Sequence, residues 1–467
     1  MRNADLFRHE DDFPGLDMGL AAEHLSKAIA CPTVSYVDVS KVDYGPFDRL
    51  QDLLRAFYPR VAADAEWEKV GHSLLIRLPG SDDALPPALF MAHQDVVPVV
   101  PGTDANWRHA PFSGDVSEGY IWGRGAMDIK QMLIAEMESA EHLLKNGSRF
   151  RRTVYLAFAE DEETVSTGAR AIAALLMERG IRFEFVLDEG AGSVSDAADW
   201  GAPGELICPI GMYEKGYGDM KLAVRSRGGH SSNPFHGTSL GRLCRAVADI
   251  LNDPPAPRLS KSVLSTLETL APVITSEPMR TLARDPGKHE AELLEWFMSR
   301  ESLYHLVSTT IAPTMITPGA PAGNVMPQDM EAVINFRMIP EDTPEKLLEK
   351  YRTLLGPDVD VSWVQRIGAS VPSEIDSYGF RALKSTLERY FDRLIFIPAQ
   401  NQGATDARNY EGLSRCVMRF GPFLEEEDIS AEGVHGTNER ISLRAFYQGI
   451  RVLTRLMEDT CVKGERF

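Results

Sequence analysis

Three short apolar runs, 88–92, 153–159 and 183–187, are each bounded by polar or Gly-rich sequence. Continuous apolar runs of that length fit strands buried on both faces. Helical spacing of apolar positions separates them, at 131–145 and 168–179. The alternation predicts an α/β fold with a mainly parallel sheet and helices on both faces. After about Gly211 the period changes. Segments 221–227 and 331–338 alternate apolar and polar residues, the pattern of antiparallel strands with one solvated face. Helices are expected at 240–252 and 343–355, which together with these strands make a smaller α+β domain. The α/β pattern returns after about Pro372, as helix 377–391, strands 394–398 and 416–420, and helix 439–457. Residues 1–214 and 370–467 therefore read as one domain. Residues 215–369 read as an insertion in it, carrying a further Pro-punctuated helical stretch at about 254–306.

A chain of 467 residues exceeds one ordinary core, in keeping with two domains. The net charge is −19 and no Lys/Arg-rich run occurs. Nucleic acid and anionic membranes are accordingly not expected partners. No apolar stretch of about 18 residues is present, so no membrane span is expected. The first 16 residues are charged and lack the apolar core of a signal peptide. Five scattered cysteines, Cys31, Cys208, Cys244, Cys416 and Cys461, form no CxxC pair and suggest a reducing cytoplasm.

The chemistry collects where the predicted strands end, which is where open α/β sheets place their ligands. His93-Gln94-Asp95 closes the first strand, and residues two apart in extended chain face the same way. Asp95 is placed to fix the tautomer of His93. Asp128 follows a Gly-rich approach, Gly123-Arg124-Gly125-Ala126-Met127, and precedes a helix. Taken singly, such an Asp is an N-cap; a carboxylate can also bridge two metals. Asp161-Glu162-Glu163 ends the second strand. Consecutive carboxylates repel unless cations neutralise them. If the chain is extended there, adjacent glutamates point apart, one to a metal and one to a substrate water. Asp188-Glu189-Gly190 ends the third strand and offers one more carboxylate, and His435 lies before the last helix. Two imidazoles and several carboxylates suit a borderline-soft divalent metal, above all zinc.

These motifs resemble those of the dinuclear zinc peptidase and aminoacylase family, which includes aminoacylase-1, carboxypeptidase S, bacterial glutamate carboxypeptidase and succinyl-diaminopimelate desuccinylase. The resemblance runs through His93-Gln94-Asp95-Val96-Val97-Pro98, Gly123 to Lys130, Asp161-Glu162-Glu163, Gly228-Gly229-His230-Ser231-Ser232 and Asn324-Val325-Met326-Pro327. It implies that His93 and a carboxylate from Asp188-Glu189 hold one zinc, that Glu163 and His435 hold the other, and that Asp128 bridges them. Glu189 is the expected ligand, with Asp188 the alternative. Asp95 is implied to orient His93, Glu162 to be the general base, and His230 to stabilise the oxyanion from the smaller domain, usually that of the partner subunit. Arg337 and Asn324 are implied to bind the substrate's carboxylate end, a task to which a bidentate guanidinium is suited. The 254–306 insertion and Val434-His435-Gly436-Thr437-Asn438-Glu439 resemble the carboxypeptidase S-like branch. Thr405-Asp406-Ala407-Arg408 recurs in that branch, and reads either as support for the site or as a capped turn.

The resemblance thus implies a cytoplasmic homodimer, paired through the inserted domain, with two zinc ions (or cobalt or manganese) per chain. The expected reaction is hydrolysis of an amide bond beside a free carboxylate, in a dipeptide or N-acyl amino acid. Two other readings are a carbamoyl-type amidase and a non-catalytic dimer that binds peptides or acyl amino acids. The intact Glu162 and ligand set argue against the latter.

Overall fold

The computed structural model describes residues 6–190, 192–234, 237–401, 403–425 and 433–467. The chain divides into two compact units. One comprises Met1–Ala197, Gly204–Met212 and Ser373–Phe467; the other comprises Ala198–Pro203 and Tyr213–Pro372.

The first unit is built on a mixed sheet. Its strands run in the order Glu66–Val70, Ser73–Leu78, Val154–Ala159, Ala88–His93, Phe185–Asp188, Val417–Arg419, Ala202–Glu214 and Leu394–Asn401, with Ser195–Ala197 paired beside Ala202–Glu214. The four strands from Val154–Ala159 to Val417–Arg419 are parallel. Antiparallel strands flank them. Val154–Ala159, Ala88–His93 and Phe185–Asp188 are buried at every position. Helices cover both faces of such strands, which is why their sequences are unbroken apolar runs. The pairing of His93 with Ala159 sets the C-terminal ends of two central strands level.

Helix Lys130–Lys145 is buried along almost its whole length, including Glu136, Glu138 and Glu141. Its polar groups are largely absorbed by neighbours. Glu138 accepts from Tyr58 at 3.0 Å and lies 2.6 Å from His24 Nδ1. Glu141 accepts the backbone N–H groups of Arg60 and Val61, capping helix Pro59–Asp64. The last helix begins at Leu443, capped by Ser442, later than the periodicity suggests. Residues Arg440–Ser442 instead pair as a strand with Tyr120–Trp122.

The second unit carries a four-stranded antiparallel sheet in the order Thr310–Thr317, Asp329–Met338, Gly216–Arg225, Asp360–Ile367. Gly216–Arg225 alternates buried and half-buried positions, as its sequence predicts. Helices Ser239–Asn252 and Pro344–Leu355 close one face over a core that includes Leu222, Leu243, Ile334, Phe336 and Tyr351. The Pro-punctuated stretch forms four helices: Lys261–Leu270, Met279–Leu282, Glu290–Met298 and Tyr304–Val307. Trp200 packs edge-on against Phe297 of the third.

Candidate metal centre

In the first unit, His93, Asp128 and Glu189 bring one donor atom each within 4.8 Å of one another, and so do Asp128, Glu163 and His435. Asp128 joins the two groups with different oxygens. His93 Nε2 lies 3.1 Å from its Oδ1, and His435 Nε2 lies 3.0 Å from its Oδ2. Glu189 Oε1 is 3.3 Å from His93 Nε2, and Glu163 Oε2 is 3.0 Å from His435 Nε2. Each group thus holds one imidazole, one carboxylate of its own and one oxygen of Asp128. Glu162 Oε2 stands 4.0 Å from His93 Nε2, beside the cluster.

Glu189, and not Asp188, turns into this cluster. Asp188 Oδ2 accepts the backbone N–H of Ala407 at 2.7 Å, away from the histidines. Thr405 caps the turn over Ala407, and Asp406 is buried beside Ser166 and Asp188. The Thr405-to-Arg408 segment is therefore both a capped turn and a support for Asp188.

Local backbone explains how these side chains converge. Glu162 and Glu163 lie in a turn rather than in extended chain, which corrects the expectation of alternating directions. The turn is held from both ends. Asp161 accepts the N–H groups of Thr167 and Gly168, both at 2.8 Å, and so caps helix Thr167–Glu178. Asp95 accepts the N–H groups of Glu162 and Glu163, each at 3.2 Å, and the hydroxyl of Ser35 at 2.6 Å. Its Oδ1 is also 3.2 Å from His93 Nδ1, and its carbonyl oxygen is 3.0 Å from the same nitrogen. That contact leaves Nε2 of His93 aimed at the cluster.

Asp128 is not an N-cap, because helix Lys130–Lys145 starts without a side-chain cap. The Asp128–Ile129 peptide is cis. Gly125 has φ +90°, and a Cβ there would come within 2.8 Å of Val96 Cγ1. Glu439 Oε1 accepts the N–H groups of Gly125, Met127 and Asp128 at 2.9, 2.9 and 3.2 Å. Glu439 Oε2 pairs with Arg124 at 2.5 Å, and Arg124 reaches the His435 carbonyl at 3.1 Å. His435 has φ 60°, a left-handed conformation uncommon for a residue with a side chain. Arg124 and Glu439 both stand within the motifs quoted above. Their pairing across 315 residues is invisible in the sequence.

The electrostatics are those of a site short of positive charge. Burial alone would lower the His93 imidazole, but Glu189, Asp128 and Asp95 hold it well above its ordinary range. Hydrogen bonds to Asp128 and Glu163 push His435 up to about 10. Burial pushes Glu189 up to about 8 and raises Glu162 well above the carboxylate range. Glu163 Oε1 is buried and has no partner among the described residues. Crowded carboxylates and an orphaned acceptor fit divalent cations held by nitrogen and oxygen donors.

The remaining candidates belong to the second unit. His230 pairs with Val325 in a short two-stranded ladder, next to Asn324. His230 Nδ1 lies 2.8 Å from the Ser232 hydroxyl oxygen and 3.2 Å from the Ser232 backbone nitrogen. His230 and Asn324 both line an open cavity of about 620 Å³. Arg337 is exposed on strand Asp329–Met338, its guanidinium 4.7 Å over the Tyr217 ring.

Fold and site together define a metal-dependent hydrolase. The model of peptidase family M20/M25/M40 matches residues 89–459, and the chain belongs to that family. It is 33% identical to a probable carboxypeptidase S-like 2 of Dictyostelium discoideum over 97% of this chain and 87% of the relative. It is 31% identical to the N-fatty-acyl-amino acid synthase/hydrolase PM20D1 of Homo sapiens, over 94% and 87%. A crystal structure of an M20 family metallo-carboxypeptidase from Sulfolobus solfataricus shares the fold, with a TM-score of 0.65 and 18% identity, over 94% of this chain and 98% of that one. The protein is therefore an enzyme that cleaves amide bonds with the help of metal. Among the described residues no helix is long and apolar enough to cross a membrane.

Proposed function

We propose that the protein hydrolyses the amide bond of a dipeptide or N-acyl amino acid next to a free carboxylate, using two zinc ions per chain. The observation that carries this reading is the pair of three-donor groups sharing the two oxygens of Asp128. His93, Asp128 and Glu189 would hold one ion, and Asp128, Glu163 and His435 would hold the other. The ions, when bound, polarise the scissile carbonyl and make a water molecule acidic near neutral pH. Glu162 takes the proton from the attacking water and returns it to the leaving amine. Its burial, and next the charge of Glu189, favour a carboxyl able to carry a proton, against the pull of His93, and support that role. Asp95 keeps His93 in the right tautomer and ties down the turn that bears Glu162 and Glu163.

His230 donates a ring N–H to the negative charge developing on the carbonyl oxygen. Arg337 and Asn324 bind the substrate carboxylate. The first unit, at about 1–214 and 370–467, is the catalytic domain. The second, at about 215–369, pairs two copies as a homodimer. Five cysteines without disulfides fit a cytoplasmic location.

Elemental analysis of the purified protein, paired with a panel of dipeptides and N-acyl amino acids before and after chelation, tests the reading. About two zinc ions per chain and chelator-sensitive release of free amino acid are expected. Absence of bound metal, with no activity after adding zinc, cobalt or manganese, would overturn it.

A further inference from the structure

The two donor groups of the metal cluster are held in different ways. His93 ends a buried strand, and its side chain is 2% exposed. The His435 side chain is 52% exposed, so packing does little to hold it. Ties to the backbone of its loop hold it instead. His435 and Asn438 both have left-handed backbone, with φ 60° and 65°. Arg124 grips the His435 carbonyl, and the Asn438 carbonyl accepts from Arg440 at 3.1 Å. The Asn438 side chain also fastens the loop to segment 106–108, some 330 residues away in the chain. Its Oδ1 accepts the backbone N–H of Arg108 at 2.6 Å, and its amide nitrogen donates to the Asn106 carbonyl at 3.4 Å. Trp107, between those two residues, is buried, and the Arg124 guanidinium lies 5.5 Å from its ring centre. Segment 106–108 thus meets the loop twice, directly at Asn438 and through Arg124 at the His435 carbonyl.

We infer that Asn438 is a positioning residue for His435, and that its bond to Arg108 supports the Glu163–His435 ion selectively. The inference rests on the two-ion reading above. Left-handed backbone is unfavourable for a residue with a side chain, so it persists where neighbours hold it. Releasing Asn438 frees one end of 435–438, and the imidazole is then no longer kept within reach of Glu163 and Asp128. Glu439 differs, because it also fixes the loop bearing Asp128, which both groups share. The Asn438 side chain instead bonds to Arg108 and Asn106, which lie on neither the His93 strand nor the Glu189 turn. Its loss therefore leaves the His93 group in place.

The test titrates the metal-free protein with cobalt(II), followed by visible absorption, for the unaltered chain, Asn438→Asp and Asn438→Gly. Aspartate keeps the acceptor and suits left-handed backbone, whereas glycine keeps only the backbone freedom. His435→Ala identifies which binding step belongs to the His435 ion. In Asn438→Gly that step should weaken about 10–100-fold, as expected for a group that orients a metal ligand, while the other stays within about twofold. Asn438→Asp should bind as the unaltered chain does. Linkage requires the converse, so uptake of the His435 ion should slow hydrogen exchange of the Arg108 amide about tenfold or more in the unaltered chain. That measurement needs no variant to fold. Equal weakening of both steps, no weakening in Asn438→Gly, or an Arg108 amide indifferent to that ion would overturn the inference and leave the two-ion reading intact. Failure of the unaltered chain to take up two ions would remove both.

Discussion

Glu439 makes no approach to the proposed metal ions, yet its replacement should weaken them. Its Oε1 gathers three backbone N–H groups of the loop that presents Asp128, and its Oε2 holds Arg124, which in turn grips the carbonyl of His435. One carboxylate thus fixes two of the proposed ligands. Glu439→Gln keeps an oxygen for the three N–H groups but sets an amide N–H₂ against the Arg124 guanidinium. Both residues are buried, and breaking one side of a buried ion pair costs about 3–5 kcal/mol. Groups that orient metal ligands typically contribute about 10–100-fold to metal affinity, or about 1.4–2.7 kcal/mol. The expected result is a loss of that size in zinc affinity, measured by competition with a chromophoric chelator. A lowered thermal midpoint of the metal-free protein should accompany it. Adding Arg124→Met should recover part of the midpoint, since the uncompensated charge is removed. Zinc affinity within twofold of wild type, with an unchanged midpoint, would refute the reasoning.

Three further predictions concern other residues. Glu162→Gln should retain both metals while kcat falls by about 10²–10⁴; full turnover would remove Glu162 as the base. Arg337→Ala should raise KM for carboxylate-bearing substrates about 10–100-fold more than for their amides, the range expected for a charged hydrogen bond; equal losses on both would exclude Arg337 from carboxylate binding. Glu160, chiefly by burial and then by the charge of Asp161, is raised from 4.5 to about 7. Its contribution to stability is then full below about pH 4.5 and is lost as pH rises through about 7, by about 1–2 kcal/mol after solvent screening of a partly exposed group. Glu160→Gln should flatten that part of the stability–pH curve, followed by thermal unfolding from pH 4 to 8; an unchanged curve would contradict it.

Much of the architecture was legible in the chain. The runs ending at Ala92, Ala159 and Leu187 are unbroken because parallel strands between helical layers have no solvated face. Their C-terminal ends carry His93, Glu163 and Glu189, so the candidate donors could be listed from sequence. Edge strands were not legible. Glu66–Val70 is half exposed, and Thr310–Thr317 is exposed over most of its length, so neither carries a clear period. Helix Lys130–Lys145 misleads in the opposite sense, since its glutamates look solvated and are buried. Partners distant in the chain, such as His24 and Tyr58 for Glu138, offset that burial, whereas at Glu136, which has no partner for either oxygen among the described residues, burial raises the carboxyl well above its ordinary range.

The choice between Asp188 and Glu189 could not be made from two adjacent acids. It depends on the Ala407 N–H that captures Asp188, more than 200 residues away. The division of labour among Asp161, Glu162 and Glu163 likewise comes from a turn pinned by Asp95 and by the start of the next helix. The types of donor and their order along the chain are local properties, written residue by residue. Which oxygen faces which nitrogen depends on hydrogen bonds between segments hundreds of residues apart. Tertiary packing alone brings those segments together.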